Sequence, residues 1–185
     1  MKEYKLPIGC DVPETIILAD GDFPSHPLAL EWLRQCPYVV CCDGAANTYI
    51  RSGRMPEAIV GDGDSLLPDI KERYASLIHS EAEQETNDLS KAFRFCLSQE
   101  RKRITIMGAT GKREDHTIGN VSLLADYMEQ AEVSMMTDYG IFVPIREDSM
   151  FESYIGQQIS VFNMNSTALS AEAVSYTHLR AHETK

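Results

Sequence analysis

Residues 60–65 read Val60-Gly61-Asp62-Gly63-Asp64-Ser65, and an apolar run, Ala58-Ile59-Val60, leads into them. The run has the length and composition of a short buried strand, and the glycines end it. Two aspartates then stand two residues apart. In an extended segment residues i and i+2 share a side, so both carboxylates are expected to converge on one spot. Carboxylates that close repel unless one is protonated or a cation lies between them. A hard divalent ion such as Mg²⁺, held by one or two carboxylates and phosphate oxygens, suits such a pair. The alternative is a solvated acidic turn, because Gly and Asp are ordinary turn residues. A calcium loop does not fit: Leu66 and Leu67 occupy its next-ligand and glycine positions, and Arg73 stands where the bidentate glutamate belongs.

Working outward, the same pattern recurs. Thr15–Ala19, Tyr38–Cys42 and Arg103–Met107 read as further strands, closing on Asp20-Gly21-Asp22, Asp43-Gly44 and Gly108-Ala109-Thr110-Gly111. Periodic helices separate them. Ser25 is expected to cap one with an apolar face of Leu28, Ala29, Trp32, Leu33 and Cys36. A short helix follows Ala46, another spans about Asp69–Ser76, and a third carries the stripe Leu89, Ala92, Phe93, Cys96, Leu97. A last one should bury Ile118, Val121, Ala125 and Met128. Strands alternating with helices predict an α/β fold, a parallel sheet with helices on both faces. Ligands of such sheets bind beyond the carboxyl ends of the strands, where this chain places its small and acidic residues.

From about residue 131 the texture changes. Residues 133–136, 140–145, 150–154 and 158–162 read as short strands between turns, the beginning of an antiparallel β domain. The expected organisation is an α/β nucleotide-binding domain over 1–130, a partial β-sandwich over 131–173 and a tail over 174–185.

Composition narrows the partners. With a net charge of −11 the chain repels the phosphates of nucleic acids and membrane surfaces, so neither is expected to bind. A polyphosphate ligand then needs a local device such as a metal, a helix N-terminus or a few placed cations. No apolar run has signal-peptide or membrane-span length, and the five cysteines include no C-x-x-C pair. Adjacent Cys41 and Cys42 should face opposite ways as reduced core residues. The expectation is a soluble, cytoplasmic protein. No His/Cys constellation points to zinc, and no G-x-S-x-G points to a hydrolase.

The richest segment is Gly108–Asn120, G-A-T-G-K-R-E-D-H-T-I-G-N. Glycines let backbone N–H groups approach an anion at the start of a helix, and Lys112 and Arg113 supply cations for phosphate. It is not a P-loop, since two residues rather than four separate Gly108 from Gly111 and Arg113 replaces Ser or Thr. Asp115 has two readings, helix cap or site carboxylate, and His116 and Asn120 are open between structural and functional roles. Asp88, in Gln84–Lys91, reads as a helix N-cap or, with Lys91 one turn on, as a further ligand beside Asp62 and Asp64.

Cys42-Asp43-Gly44-Ala45-Ala46, Gly61–Ser65, Gln84–Ala92 and Gly108–Asn120, in this order, resemble the bacterial thiamine pyrophosphokinases over about residues 15–172. The resemblance implies a nucleotide-binding α/β domain, a C-terminal β-sandwich, and a homodimer when the chain is full length. It implies pyrophosphoryl transfer from Mg-ATP to the hydroxyl of thiamine, giving thiamine diphosphate and AMP. Under it Asp62, Asp64 and Asp88 hold Mg²⁺ and the triphosphate, and Asp115 and Gln84 lie near the reacting hydroxyl or thiamine. Arg113 meets phosphate, and Asp43, Gly44, Lys91, Thr110, Gly111, Lys112, His116 and Asn120 line the substrate sites. Asn87 stands where many relatives have Thr, and Gly63 replaces a commonly bulky residue. Residues 174–185 depart from the family pattern and resemble translated adapter read-through, so a non-native tail is expected there. Two other readings are a non-catalytic Mg-ATP-binding fragment and a metal-dependent nucleotide-sugar transferase. The last leaves Gly108–Asn120 without a purpose.

Overall fold

The computed structural model describes residues 1–7, 12–80 and 86–164. In chain order these form β1 (Lys2–Tyr4), β2 (Thr15–Leu18), α1 (Pro27–Gln35), β3 (Val39–Cys42), α2 (Ala45–Arg51), β4 (Ala58–Val60) and α3 (Pro68–Arg73). A 3₁₀ turn (Ala75–Leu77) leads to β5 (Ile78–His79), followed by α4 (Asp88–Ser98), β6 (Arg103–Met107), α5 (Glu114–Tyr127), β7 (Glu132–Met136), β8 (Ile141–Phe142) and β9 (Ser149–Phe151). They divide into two units, residues 12–144 and residues 1–7 with 145–164.

The first unit is a seven-stranded sheet in the order β5-β4-β3-β2-β6-β7-β8, parallel except for β8. Its strands are short and mostly apolar because both faces are covered. Alternation then sorts each strand's residues between two cores. Ile17, Val40, Cys42, Val60, Ile106 and Met135 pack with Leu89, Phe93 and Cys96 of α4 and Leu124 and Tyr127 of α5. Ile16, Leu18, Val39, Cys41, Ile59 and Met107 pack with Ala29, Trp32 and Leu33 of α1, Ala46 and Tyr49 of α2 and Ile70 of α3. Cys41 and Cys42 face opposite ways, as expected, and both are free thiols. Burial raises both, and raises Cys96 to about 12, so all three remain thiols. Among the described residues no helix is long and apolar enough to cross a membrane.

Four expectations change. Residues 133–136 continue the parallel sheet as β7, paired with β6 from Arg103↔Glu132 to Met107↔Met136, and β8 adds to the same sheet. The α/β unit therefore runs to residue 144 rather than 130. In the second unit β9 pairs in parallel with β1, and residues 158–162 form no strand. Tyr4 stacks on Phe151 there at 4.6 Å between centroids. Third, α1 is capped by His26, whose Nδ1 accepts from Leu28 N–H, while Ser25 turns to Asp138. Fourth, of the stripe expected on α5, Val121 and Met128 pack partly buried against the core, but Leu124 and Tyr127 are the buried residues and Ala125 and Ile118 (71%) are exposed. The expectation for residues 174–185 lies outside the described residues.

Asp138, just beyond β7, accepts from the backbone N–H groups of Ser25 and His26 (both 2.9 Å) and from Ser25 Oγ. These bonds, led by that of the Ser25 hydroxyl, hold its carboxyl below the ordinary range. A lowered carboxyl stabilises the fold above its unfolded pKa and loses that contribution as pH falls through the folded one. Asp138→Asn is expected to melt below wild type at neutral pH, the gap closing in acid; thermal midpoints across pH check this. Phe93, 1% exposed and stacked on Tyr127 at 3.9 Å, should cost about 3–5 kcal/mol when cut to Ala, read from denaturant unfolding.

Candidate active site

β2 lies at the centre of the sheet. From it the chain proceeds to β3 on one side, while β6, on the other, leads away to β7. The order reverses between β2 and β6, and the crevice beyond their carboxyl ends is where an open α/β sheet binds ligands. Two loops meet there. Gly21 N–H donates to Gly108 O at 2.6 Å and Asp22 N–H to Thr110 O at 2.8 Å. A Cβ on Gly21 would lie 2.3 Å from Thr110 O, so only glycine permits this approach. Gly111 (φ +79°) is held equally close to the Asp22 carboxylate.

Lys112 (φ +59°) reaches back across this junction, its Nζ donating to Asp20 O (2.9 Å) and Asp20 Oδ1 (3.1 Å). A cavity of about 210 Å³ opens beside it, lined by Asp20–Phe23, Ala45, Thr48 and Lys112. Gly44 adjoins, its missing Cβ leaving room for Asp20 Oδ2. Arg113 and Asp115 clasp each other at two points, Nε to Oδ1 at 3.0 Å and Nη2 to Oδ2. The clasp, chiefly its hydrogen bonds, lowers Asp115 to about 2, which makes it a weak proton acceptor at neutral pH. Neither caps α5 through its side chain; Asp115 lies in the first turn. His116 is exposed in that turn.

Asn120 is no surface amide. Its Nδ2 donates to Ala109 O (2.8 Å), and its Oδ1 accepts from Asn87 Nδ2 (3.4 Å), tying the glycine loop to the start of α4. Asn87, not Asp88, caps α4 by accepting from Ser90 N–H at 2.8 Å. Asp88 sits in the first turn, paired at 2.9 Å with Lys91 Nζ; Lys91 is 5% exposed. Gln84 lies outside the described residues.

The acidic loop departs from the expected geometry. β4 stops at Val60 and residues 61–66 bend, with Gly63 at φ +75°, so Asp62 and Asp64 do not share a side as strand residues would. Asp62 Oδ1 instead accepts from Asp64 N–H at 3.0 Å, and both side chains are exposed. Asn47 pins the loop, donating to Ser65 O (2.8 Å) and accepting from Leu67 N–H (3.0 Å), while Lys71 Nζ donates to Gly63 O (2.9 Å). Behind it lies Asp43, 4% exposed and left-handed (φ +31°). Its Oδ2 accepts from Ser65 N–H at 3.0 Å. Burial, and then the charges of Asp62 and Asp88, push its carboxyl above the ordinary range against that bond. Among the described residues no three metal-ligating groups converge. Asn47 escaped the sequence reading, its only signal being a polar residue one turn past Asp43, and Asp20 entered it only as one of the acidic strand ends.

Residues 29–136 match the family of the thiamin pyrophosphokinase catalytic domain, and residues 140–184, a stretch reaching into the tail, match the thiamin pyrophosphokinase substrate-binding domain. Thiamine pyrophosphokinase 1 of Oryza sativa subsp. japonica is 30% identical over 129 residues, 56% of this chain and 49% of that protein. Thiamine pyrophosphokinase of Bacillus subtilis (strain 168) is 34% identical over 86 residues, 44% of this chain and 40% of that one. The chain spans about half the length of the curated relatives it matches. Among solved structures, yeast thiamin pyrophosphokinase shares the fold with a TM-score of 0.59 at 18% identity, over 74% of this chain and 63% of that one. Thiamin pyrophosphokinase from Geobacillus thermodenitrificans gives a TM-score of 0.54 at 27% identity, over 66% and 58%. With more than half of its length matched by the catalytic-domain family, the chain belongs to the thiamin pyrophosphokinases.

Proposed function

We propose that the protein transfers pyrophosphate from ATP to the hydroxyl of thiamine, releasing AMP. The observation that carries this reading is the junction of the β2 and β6 loops, where Lys112 stands over the Asp20 strand end beside the cavity. An acidic chain has placed cations and glycine backbone at the one crevice its topology creates, and a polyphosphate is the ligand that such a device suits.

In this reading Gly108–Gly111 and Lys112 hold the phosphates of ATP, and Arg113 exchanges part of its clasp on Asp115 for phosphate oxygen. Asp62, Asp64 and Asp88 are the residues that would hold Mg²⁺, since carboxylate oxygens are the donors a hard cation takes. When bound, that ion would neutralise charge on the triphosphate. The thiamine hydroxyl oxygen forms its bond to the β-phosphorus and gives its proton to solvent as the bond from that phosphorus to the α,β-bridging oxygen breaks, and AMP leaves. Transfer of this type asks the protein mainly for alignment and charge compensation. Asp115, held as a carboxylate, serves by orienting Arg113 and the substrate hydroxyl. A homodimer and a cytoplasmic setting belong to the same reading.

Incubation with Mg-ATP and thiamine should yield AMP and thiamine diphosphate in equal amounts. ADP in place of AMP would overturn the pyrophosphoryl assignment, and Mg-ATP binding without turnover would favour the non-catalytic reading. Asp88→Asn should lower kcat at least about 100-fold. Lys112→Ala should act mainly on the KM for ATP, raising it roughly tenfold. Steady-state kinetics with separate ATP and thiamine titrations distinguish the two.

A further inference from the structure

The loop from Asp20 to His26 supplies Asp20, Gly21, Asp22 and Phe23 to the wall of the cavity. Its near end is fastened by backbone, Gly21 N–H to Gly108 O and Asp22 N–H to Thr110 O. Its far end is fastened by a side chain from another part of the chain. Asp138 Oδ1 accepts from Ser25 N–H and His26 N–H, both at 2.9 Å. Asp138 Oδ2 accepts from Ser25 Oγ at 2.5 Å and from Ser25 N–H at 3.1 Å. Bonds to an ionised carboxylate are roughly twice as strong as neutral ones, so this end of the loop is firmly placed.

The carboxylate is itself held in place. It lies in the turn between β7 and β8, closed by Thr137 N–H to Gly140 O (2.9 Å). The N–H groups of Tyr139 and Gly140 donate to Thr137 Oγ1 at 3.1 and 3.2 Å. β7 pairs with β6 along its length, so this turn and the Gly108 loop leave adjacent strands of one sheet. Between the two fastenings of the Asp20–His26 loop stand Phe23 and Pro24. Pro24 is buried and its ring fixes φ. Phe23 is half-buried and packs against the core that includes Ala29 and Leu33 of α1. With both ends held and a proline beside it, Phe23 is fixed by what fixes the loop.

We propose that Asp138 is a positioning residue for this cavity, holding the far end of the loop and thereby keeping Phe23 in place as an apolar wall for the ligand. Lys112, bonded to Asp20 at the near end, meets the ligand's charge. The inference rests on the reading above that Lys112 and this crevice receive ATP, and it adds a residue that touches no substrate yet sets the affinity. A wall fixed before binding costs no ordering when the ligand arrives, whereas a loose one does. Loss of the clamp therefore acts on binding rather than on the transfer step.

Isothermal titration of the full chain with ATP, thiamine omitted and the temperature well below each variant's melting point, tests this directly. Asp138→Ala loses every bond of the clamp. It is expected to weaken ATP binding at least about tenfold, with kcat at saturating ATP within about twofold of wild type. Asp138→Asn keeps the oxygen that serves both backbone N–H groups. It should bind ATP within about threefold of wild type although it melts lower, a split between placement and stability that a merely structural role does not produce. Phe23→Ala should lose as much affinity as Asp138→Ala, and the double variant no more than either, because both act through one ring. ATP affinity retained in Asp138→Ala would overturn the role of Asp138 and leave the proposed activity standing. Equal losses in Asp138→Asn and Asp138→Ala, or additive losses in the double variant, would do the same. The expected affinities without AMP formation would support the clamp and overturn the transfer reading alone. A wild-type protein that binds no ATP would overturn both.

Discussion

The contact between two backbone loops, Gly21 N–H to Gly108 O and Asp22 N–H to Thr110 O, is the constraint on which the rest of the site depends. β2 and β6 are neighbours in the sheet, yet the chain leaves them in opposite directions. Joining their exits by hydrogen bonds keeps the crevice from being filled by either loop and turns the backbone of both toward it. The price is side-chain volume. Gly21 faces carbonyl oxygens that no Cβ would clear, and Gly111 faces the Asp22 carboxylate. Lys112 then spans the junction and neutralises the Asp20 strand end, so one side chain both braces the loops and supplies positive charge.

Electrostatics sets the second constraint. A chain of net charge −11 gathers Asp20, Asp43, Asp62 and Asp88 at the carboxyl edge of its sheet. That arrangement opposes folding through like-charge repulsion, and the fold answers it locally rather than globally. Lys91, almost fully buried, pairs with Asp88, Arg113 clasps Asp115, and Lys112 reaches Asp20. Asp43 alone among these carboxylates has a buried oxygen with no donor.

The α/β architecture was legible because it rests on local features. Short β-branched runs alternate with periodic helices, and Cys41 and Cys42 show the period of two directly. What stayed hidden depends on contacts across the chain. Residues 133–136 look like any short strand, and only the pairing of β7 with β6 assigns them to the first sheet. Asp138 holds the backbone just before α1 from more than a hundred residues away, which no window around Ser25 can reveal. The stripe expected on α5 was right at Val121 and Met128, whereas the buried contacts of the helix are made by Leu124 and Tyr127, which the periodicity alone did not single out.

The site shows the same division. Residue types and their placement at strand ends were visible as one-dimensional patterns, but their geometry was not. Asp62 and Asp64 were expected to align because the stretch was taken as extended; Gly61 and Gly63 bend it instead. The two glycines thus do opposite work to the strand before them. They release the loop from the sheet, let its backbone press against Asp43, and leave its carboxylates at the surface where a ligand can meet them. Asn120 makes the converse point. A residue that the pattern offers as a ligand spends both ends of its amide on Ala109 and Asn87. In that position it sets the distance between the glycine loop and the helix bearing Asp88, and so couples the phosphate-facing and acid-bearing sides of one crevice.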